Sequence, residues 1–161
     1  MRNGYALCTE KGLSTIARKL EARDAHEIDE LRDLIRVGLH SGVQVTDAED
    51  ANLLVSQVFC SALPVSYTSI PADRWKSFAM LILEGAYEAT LWAAVINAHR
   101  FSSKVLFLTQ LGGGAFGNEP QWIHEAMLRA LTRAVGVDLD VRVVSYRAPG
   151  QGLERLAQEF V

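Results

Sequence analysis

Cysteine is scarce in this sequence: Cys8 and Cys60 are the only two, and they lie far apart. They form no C-x-x-C pair and no cluster with histidine, and no signal-peptide pattern is visible at the N-terminus. We therefore expect reduced thiols in a cytoplasmic protein and no disulfide framework. The four histidines are scattered without metal-ligand spacing, so the pattern predicts no metal site. No motif indicates a bound cofactor.

An excess of positive charge is also missing, since the formal net charge is −3 at pH 7. This balance argues against nonspecific binding to a nucleic acid backbone. Long uncharged apolar runs are missing too, because the best one, Phe78 to Ile96, contains Glu84 and Glu88. No membrane span is expected from it. The two carboxylates could do acid–base chemistry if burial raised one pKa, but a structural or surface role is favoured.

The sequence does carry the alternating pattern of a mixed α/β domain. A chain of 161 residues with 49% hydrophobic residues predicts a single domain, 1–161, able to bury a core. We divide it into a helical N-terminal segment, 1–46, and an α/β part, 47–161. Helices are predicted at Ser14 to Leu20, at Asp24 to Leu39 with Asp24 and Glu27 as a capping box, from a cap at Asp73 to about Asn97, at Pro120 to about Val135, and after Gly152. Strands are predicted at "VQVT", at the buried run Leu53 to Leu63, at "KVLFLTQ" and at "LDVRVVSY".

This order of elements predicts a three-layer fold, with a mixed, largely parallel sheet flanked by helices. In such sheets ligands bind beyond the carboxyl ends of the strands. The stretch "LTQLGGGAFGNEP", Leu108 to Pro120, lies at that edge and directly precedes a helix. Free N–H groups at a helix N-terminus favour an anion such as phosphate. The alternative is that the glycines only permit a tight turn between strand and helix.

Two familiar phosphate-binding motifs fit this loop poorly. Gly112, Gly114 and Gly117 match G-x-G-x-x-G, but the next strand ends in Ser145 and Tyr146 rather than in an acidic residue. A dinucleotide-binding fold for hydride transfer is therefore disfavoured. The P-loop motif requires a lysine where this chain has asparagine at position 118.

A third pattern is closer to this sequence. The segments are "LLVSQVFCSA", "LEGAYEATLWAA", "VLFLTQLGGGAFGNEP", "WIHEAMLRAL" and "VRVVSY". In this order they resemble the later half of a macrodomain, the ADP-ribose-binding module, over about Leu53 to Arg147. The most specific part is Gly114-Ala115-Phe116-Gly117 followed by Pro120, although the loop has one residue more before its proline than the family pattern. The family's early segment has no counterpart, because Arg2 to Tyr5 lacks the glycines that should follow.

The resemblance implies a macrodomain-like fold that binds ADP-ribose or a related NAD-derived nucleotide. It places the diphosphate on the N–H groups of Gly113 and Gly114, Phe116 beside the ribose, and Tyr146 near the adenine. The implied ligand-binding residues are Gly112, Gly113, Gly114, Ala115, Phe116, Gly117, Asn118 and Tyr146. Two alternatives stay open: an ADP-ribosyl hydrolase, with Asn118, Gln57 or a carboxylate as orienting group and no catalytic residue identified, and a scaffold whose loop is empty. Because no counterpart of the family's early strands is found, uncovered sheet edges are expected, which either the two N-terminal helices or a second copy would cover; of these we expect a homodimer.

Overall fold

The computed structural model describes residues 3–50, 52–146 and 148–160. Arg2 and Arg147, the ends of two segments compared above, lie outside the described residues. Over the described part the chain forms five α-helices and four strands. In chain order these are α1 (Glu10–Glu21), α2 (Ala25–Asp33), β1 (Gly38–Gln44), β2 (Leu54–Phe59), α3 (Lys76–Phe101), β3 (Val105–Thr109), α4 (Pro120–Arg133), β4 (Asp140–Val144) and α5 (Gln151–Gln158).

The mixed α/β class is confirmed, but the strands form two separate pairs. β1 and β2 are antiparallel, with Gly38 opposite Phe59. β3 and β4 are parallel, with Val105 opposite Asp140 and Thr109 opposite Val144. Within the described residues β2 and β3 are not hydrogen-bonded to each other, so the expected parallel order is observed only for β3 and β4. Periodicity predicts that a segment is a strand, but partner choice depends on contacts distant in sequence.

Helix α3 lies at the centre of the molecule. It packs against α1, α2 and α4, and both β2 and β3 contact it. Burial on several sides explains why its sequence is apolar nearly all round, as expected. The largest fully buried side chains are Trp75, Leu13, Leu83, Ile123 and Met127. The stretch Ala72–Phe101 is long and apolar enough to cross a membrane, contrary to the expectation above, but core helices of folded domains share this property.

Helix α2 is shorter than its predicted length. The capping box of Asp24 and Glu27 is confirmed at its start, but the helix ends at Asp33 and β1 begins at Gly38. Ile35 follows the helix end and packs on α3, where a Cβ built on Gly85 would lie 2.2 Å from Ile35 Cδ1. This tertiary contact ends the helix earlier than its apolar periodicity indicates.

Two further predictions are corrected by the structure. Asp73 does not cap α3, because it lies within a 3₁₀ segment, Ala72–Trp75, that precedes the helix. The strand predicted from Leu53 to Leu63 is shorter and is not buried: Leu54 is 56% exposed and Phe59 is 58% exposed. β2 is open because, among the described residues, it has a partner strand on one edge only.

Candidate functional site

The glycine loop begins at a tyrosine bridge between α3 and β3. The buried Tyr87 donates its hydroxyl proton to the carbonyl of Thr109 at 2.8 Å and accepts the N–H of Leu111 at 2.9 Å. Burial raises the pKa of Tyr87, so the hydroxyl stays neutral and remains a donor. One side chain of the central helix thus holds the residues on both sides of Gln110, where the loop starts.

Gly112 and Gly117 are required by the packing of the loop itself. Their φ angles are +77° and +67°, a left-handed conformation that favours glycine. A Cβ on Gly112 would lie 2.4 Å from the Cβ of Ala62, and a Cβ on Gly117 would lie 2.8 Å from the Cβ of Ser66. Both glycines therefore let the loop approach the segment that follows β2. For these two positions the structure supports the tight-turn alternative.

Asn118 also links the loop to the segment that follows β2, and its side chain is buried. Its side chain is 2% exposed, and its Nδ2 donates to the carbonyl of Leu63 at 2.8 Å. Its backbone N–H donates to the carbonyl of Gly112 at 2.9 Å. Within the described part of the chain, Asn118 Oδ1 has no hydrogen-bond partner. The residue therefore anchors the loop, and Gln57, the other amide considered as an orienting group, lies in β2 opposite His40.

Gly113 and Gly114 differ from each other. The N–H of Gly113 donates to the carbonyl of Gln110 at 3.1 Å, so the expectation that this N–H is free for a diphosphate is wrong. Gly114 is exposed, its φ is not left-handed, and a Cβ built on it would meet nothing within 4 Å. Of the four loop glycines, Gly114 is thus the one at which neither the backbone conformation nor the packing of neighbouring atoms requires glycine.

Gly114 opens a run of three unpaired N–H groups. Among the described residues no acceptor bonds the N–H of Gly114, Ala115 or Phe116. The carbonyls of Ala115 and Phe116 are held on the other side, by the hydroxyl and the N–H of Ser66. The carbonyl of Ala115 and the N–H of Phe116 belong to one peptide unit and point in opposite directions, so the N–H of Phe116 points away from Ser66. Successive free N–H groups in a turn form an anion-binding concavity.

Three aromatic rings lie beside this turn. Phe116 is in edge-to-face contact with Tyr67 at 5.4 Å between ring centroids and with Tyr5 at 6.0 Å, and the two tyrosines are 5.2 Å apart. Tyr5 is 38% exposed and Tyr67 is 45% exposed. Sequence reasoning missed both tyrosines as site residues. Tyr67 follows β2 in the short "PVSY" turn, a position that becomes informative only once Ser66 is known to hold the loop.

Tyr146 lies at the same edge of the sheet as the loop. Parallel pairing of Thr109 with Val144 brings the carboxyl ends of β3 and β4 together. Tyr146 follows β4 by two residues, and its side chain is fully exposed. In the described structure its ring contacts none of the three aromatic rings at the loop. Its position is at the expected edge, and its side chain is exposed to solvent.

The carboxylates on α3 belong to a separate ion-pair network. Glu84 accepts from Arg32 at 2.5 Å, and Glu88 accepts from Arg129 at 2.6 Å. Arg133 also bonds Glu88, at 3.0 Å. Arginines of α2 and α4 thus hold both carboxylates beside the central helix. This arrangement supports the structural role rather than acid–base chemistry.

Asp29 of α2 is the member of the network that contacts the most arginines. Its carboxylate lies 2.6 Å from Arg32, 2.5 Å from Arg129 and 3.3 Å from Arg133. Burial raises the pKa of Asp29, but the hydrogen bond from Arg32 and the charges of Arg133 and Arg129 outweigh it, so the pKa lies below its ordinary value. The ionised form therefore stabilises the folded chain.

We expect Asp29→Asn to lower the free energy of unfolding at pH 7 by about 2 kcal/mol, because charged hydrogen bonds to arginines are lost. The folded pKa of Asp29 is depressed. Its contribution is therefore present above the unfolded pKa of about 4 and disappears as the pH falls through the folded pKa. The free energies of unfolding of wild type and variant should therefore approach each other as the pH falls. Urea unfolding of both proteins between pH 7 and about pH 3 measures this difference.

Asp33→Asn is the matched control for this prediction. Asp33 is exposed at the end of the same helix, and its carboxylate pairs with none of the described cations. Its replacement should change the free energy of unfolding by no more than about 0.5 kcal/mol. A loss in Asp29→Asn that stays constant down to pH 3 would contradict the assignment of Asp29 as a stabilising carboxylate.

No family model, curated protein or solved structure matches this chain. What can be said about function therefore depends on the geometry of the loop: three free N–H groups, one glycine that packing does not require, and an adjacent group of aromatic rings.

Proposed function

We propose that this protein binds ADP-ribose or a related NAD-derived nucleotide at the glycine loop. The diphosphate is bound by the N–H groups of Gly114, Ala115 and Phe116. One observation carries the proposal: these three consecutive donors have no acceptor among the described residues, and they lie in an exposed turn beside the start of α4. The missing side chain of Gly114 leaves room for a phosphate to approach the backbone.

The helix that follows the loop favours an anionic ligand as well. Pro120 is the first residue of α4, where its missing N–H costs nothing. The N-terminal end of a helix carries a partial positive charge that stabilises a nearby anion. Hydrogen bonds from free N–H groups to a charged phosphate are worth roughly 1.5–3 kcal/mol each.

The aromatic rings favour a nucleotide over free phosphate. Tyr5, Tyr67 and Phe116 present partly exposed rings beside the free N–H groups. Such rings can stack on a base or cover a ribose. In the proposed complex Phe116 contacts the ribose, and the exposed Tyr146 at the same sheet edge turns onto the adenine.

The proposal includes a macrodomain-like fold, in which both strand pairs belong to one sheet with helices on its two faces. It is supported by the order β3, glycine loop, α4, β4, by the parallel pairing of the two strands, and by the central position of α3. These are the elements that resemble the later half of that family. In this arrangement the described elements supply the part of the nucleotide site that binds the phosphates, which is the glycine loop.

We expect ADP-ribose to raise the melting temperature of the protein. A ligand at a hundredfold excess over its Kd adds about 2.7 kcal/mol of stability, which corresponds to roughly 5 to 10 °C for a chain of this size. Melting curves with millimolar ADP-ribose, NAD and AMP, and with adenosine as the phosphate-free control, measure the effect. Adenosine should shift the melting temperature least, because it cannot occupy the N–H groups.

If none of these compounds shifts the melting temperature, the proposal fails and the scaffold alternative remains. Hydrolysis is a separate question, because it requires a residue that activates water in addition to a phosphate loop. Incubation with an ADP-ribosylated protein substrate, followed by detection of released ADP-ribose, distinguishes a hydrolase from a binding module.

A further inference from the structure

A second feature of the molecule, next to the start of the glycine loop, is a gap between its two strand pairs. A cavity of about 860 Å³ lies between β2 and β3 on one side of α3. In β3 all five consecutive residues, Val105–Thr109, line it, and in β2 it is lined by Leu54, Val55, Ser56 and Val58. Successive residues of a strand point to opposite faces. A cavity lined by consecutive residues therefore lies along the edge of each strand, and we call it the strand slot.

Both edges of the strand slot carry unpaired backbone groups. Within the described residues β2 is paired only with β1, and β3 is paired only with β4. The N–H and C=O groups on the facing edges thus have no strand partner. Large apolar side chains are exposed along the same edges: Leu54 is 56% exposed and Phe107 is 61% exposed. Open apolar strand edges of this kind are usually paired or covered.

The floor of the strand slot is one face of α3. Tyr87, Thr90, Ala94, Asn97 and Phe101 line it, at spacings of three and four residues along the helix. Most of their polar atoms are already bonded: Thr90 donates to the carbonyl of Ala86, the Oδ1 of Asn97 accepts from Ser56, and Tyr87 bridges the loop start. The floor therefore presents a largely apolar surface to an occupant, with the amide Nδ2 of Asn97 as an additional donor, while most of the hydrogen-bonding capacity lies in the two strand edges.

The two strand edges and the largely apolar floor together define the chemistry of the occupant. Only an extended polypeptide offers alternating N–H and C=O groups along both of its edges at the repeat of a strand. A strand of five residues is roughly 17 Å long, which matches the five residues of β3. Because apolar side chains flank the slot on both faces, the inserted strand should be apolar on both faces too, as in buried central strands.

None of the four strands of a second copy fits the strand slot. An occupant needs two free edges, and each of the strands β1 to β4 already uses one edge to bind its partner strand. The occupant must therefore be a single strand from a segment other than the four strands of this chain.

We propose that the strand slot accepts an extended, apolar peptide strand from a partner polypeptide. This strand pairs with β2 on one edge and with β3 on the other, and converts the two strand pairs into one five-stranded sheet on α3. The recognition is β-augmentation on two edges at once, in which main-chain hydrogen bonds supply the affinity. The proposal does not rest on nucleotide binding at the glycine loop, although Tyr87, Thr109 and Leu111 border both features.

A thiol in the strand slot allows a direct test on the whole chain. Cys60 lines the slot, and Cys8 is the only other cysteine. In the Cys8→Ser variant, alkylation of Cys60 by N-ethylmaleimide reports occupancy. The probe is the acetylated and amidated peptide Lys-Lys-Val-Ile-Val-Thr-Val-Lys-Lys. Saturating peptide should slow alkylation at least tenfold, and the Ala94→Phe variant, which fills the floor, should lose that protection.

Backbone methylation of the peptide provides the decisive control. Two further peptides carry N-methyl groups on alternate residues, one set on each edge, and both should fail to protect Cys60, because either change removes the hydrogen bonds to one wall. Equal protection by one or both methylated peptides would overturn the proposal in favour of a simple apolar pocket. Absence of protection by the parent peptide at about 1 mM would also overturn it.

Sedimentation of the peptide-free protein completes the test. In place of the homodimer expected from the sequence, the proposal requires a monomer at high micromolar concentration, with Cys60 reactivity independent of protein concentration. A dimer in which Cys60 becomes protected as concentration rises would overturn the proposal, because a second copy would then cover the slot. Gly114→Val changes the glycine loop but not the strand slot. In the Cys8→Ser background, the parent peptide should protect Cys60 equally well with and without this substitution.

Discussion

Gly114→Val is expected to leave the fold intact and to weaken ADP-ribose binding more than tenfold. The Cβ of the new side chain would meet no described atom within 4 Å in the free protein, and the φ angle of Gly114 is not left-handed, so no strain is expected. In the complex, the same side chain would occupy the space in which the diphosphate approaches the N–H groups. A tenfold loss of affinity corresponds to about 1.4 kcal/mol, less than one charge-assisted hydrogen bond can supply. Calorimetric titration of ADP-ribose, with melting curves alongside, measures both effects.

Gly150→Val is the matched control for this variant. Gly150 also has an ordinary φ angle and open space around its Cβ position, but it lies at the start of α5 rather than in the glycine loop. It should bind ADP-ribose like wild type. If Gly114→Val stays folded and also binds like wild type, the turn from Gly114 to Phe116 is not the phosphate site.

Gly112→Ala is expected to destabilise the protein by about 3 kcal/mol. The left-handed conformation costs a non-glycine residue roughly 1–2 kcal/mol, and overpacking typically adds 1–3 kcal/mol. Overpacking is expected because the new Cβ would lie 2.4 Å from Ala62 Cβ and 2.7 Å from Asn118 Nδ2. Denaturant unfolding measures the loss, which should lower the melting temperature by roughly 6 to 12 °C.

Gly136→Ala separates the two causes of that loss. Gly136 has a φ of +88°, but no atom of the described residues lies within 4 Å of its Cβ position. The variant should therefore show the conformational cost alone, about 1–2 kcal/mol. Equal losses in Gly112→Ala and Gly136→Ala would mean that the loop moves away from Ala62 without cost, and that this contact does not hold the loop in place.

Local signals in the sequence were sufficient for most of the helices. The capping box of Asp24 and Glu27, Pro120 at the start of α4 and the apolar stretch of α3 are all found where the sequence places them. Such signals depend on residues three or four positions apart, so they can be read without knowledge of the fold. The early end of α2 at Asp33 was missed because Gly85, on which Ile35 packs, lies far away in sequence.

The glycine loop was found from sequence, but the roles of its glycines were not separable there. Glycine at positions 112, 113, 114 and 117 looks equivalent in a string of letters. Only the neighbours in space show that Gly112 and Gly117 are required by packing, and that the N–H of Gly113 is already bonded. The same holds for Tyr5 and Tyr67, whose position beside Phe116 depends on contacts between three distant segments.

The sequence by itself determined the α/β class, the position of the loop between a strand and a helix, and the burial of α3, because each of these follows from composition and short-range periodicity. The tertiary structure decided which strands pair, which N–H groups stay free and where the strand slot lies. These features depend on hydrogen bonds and close contacts between residues tens of positions apart, such as Ser66 with Ala115 and Ala62 with Gly112. Pairwise geometry of that kind is set by how the elements pack, and residue type alone does not specify it.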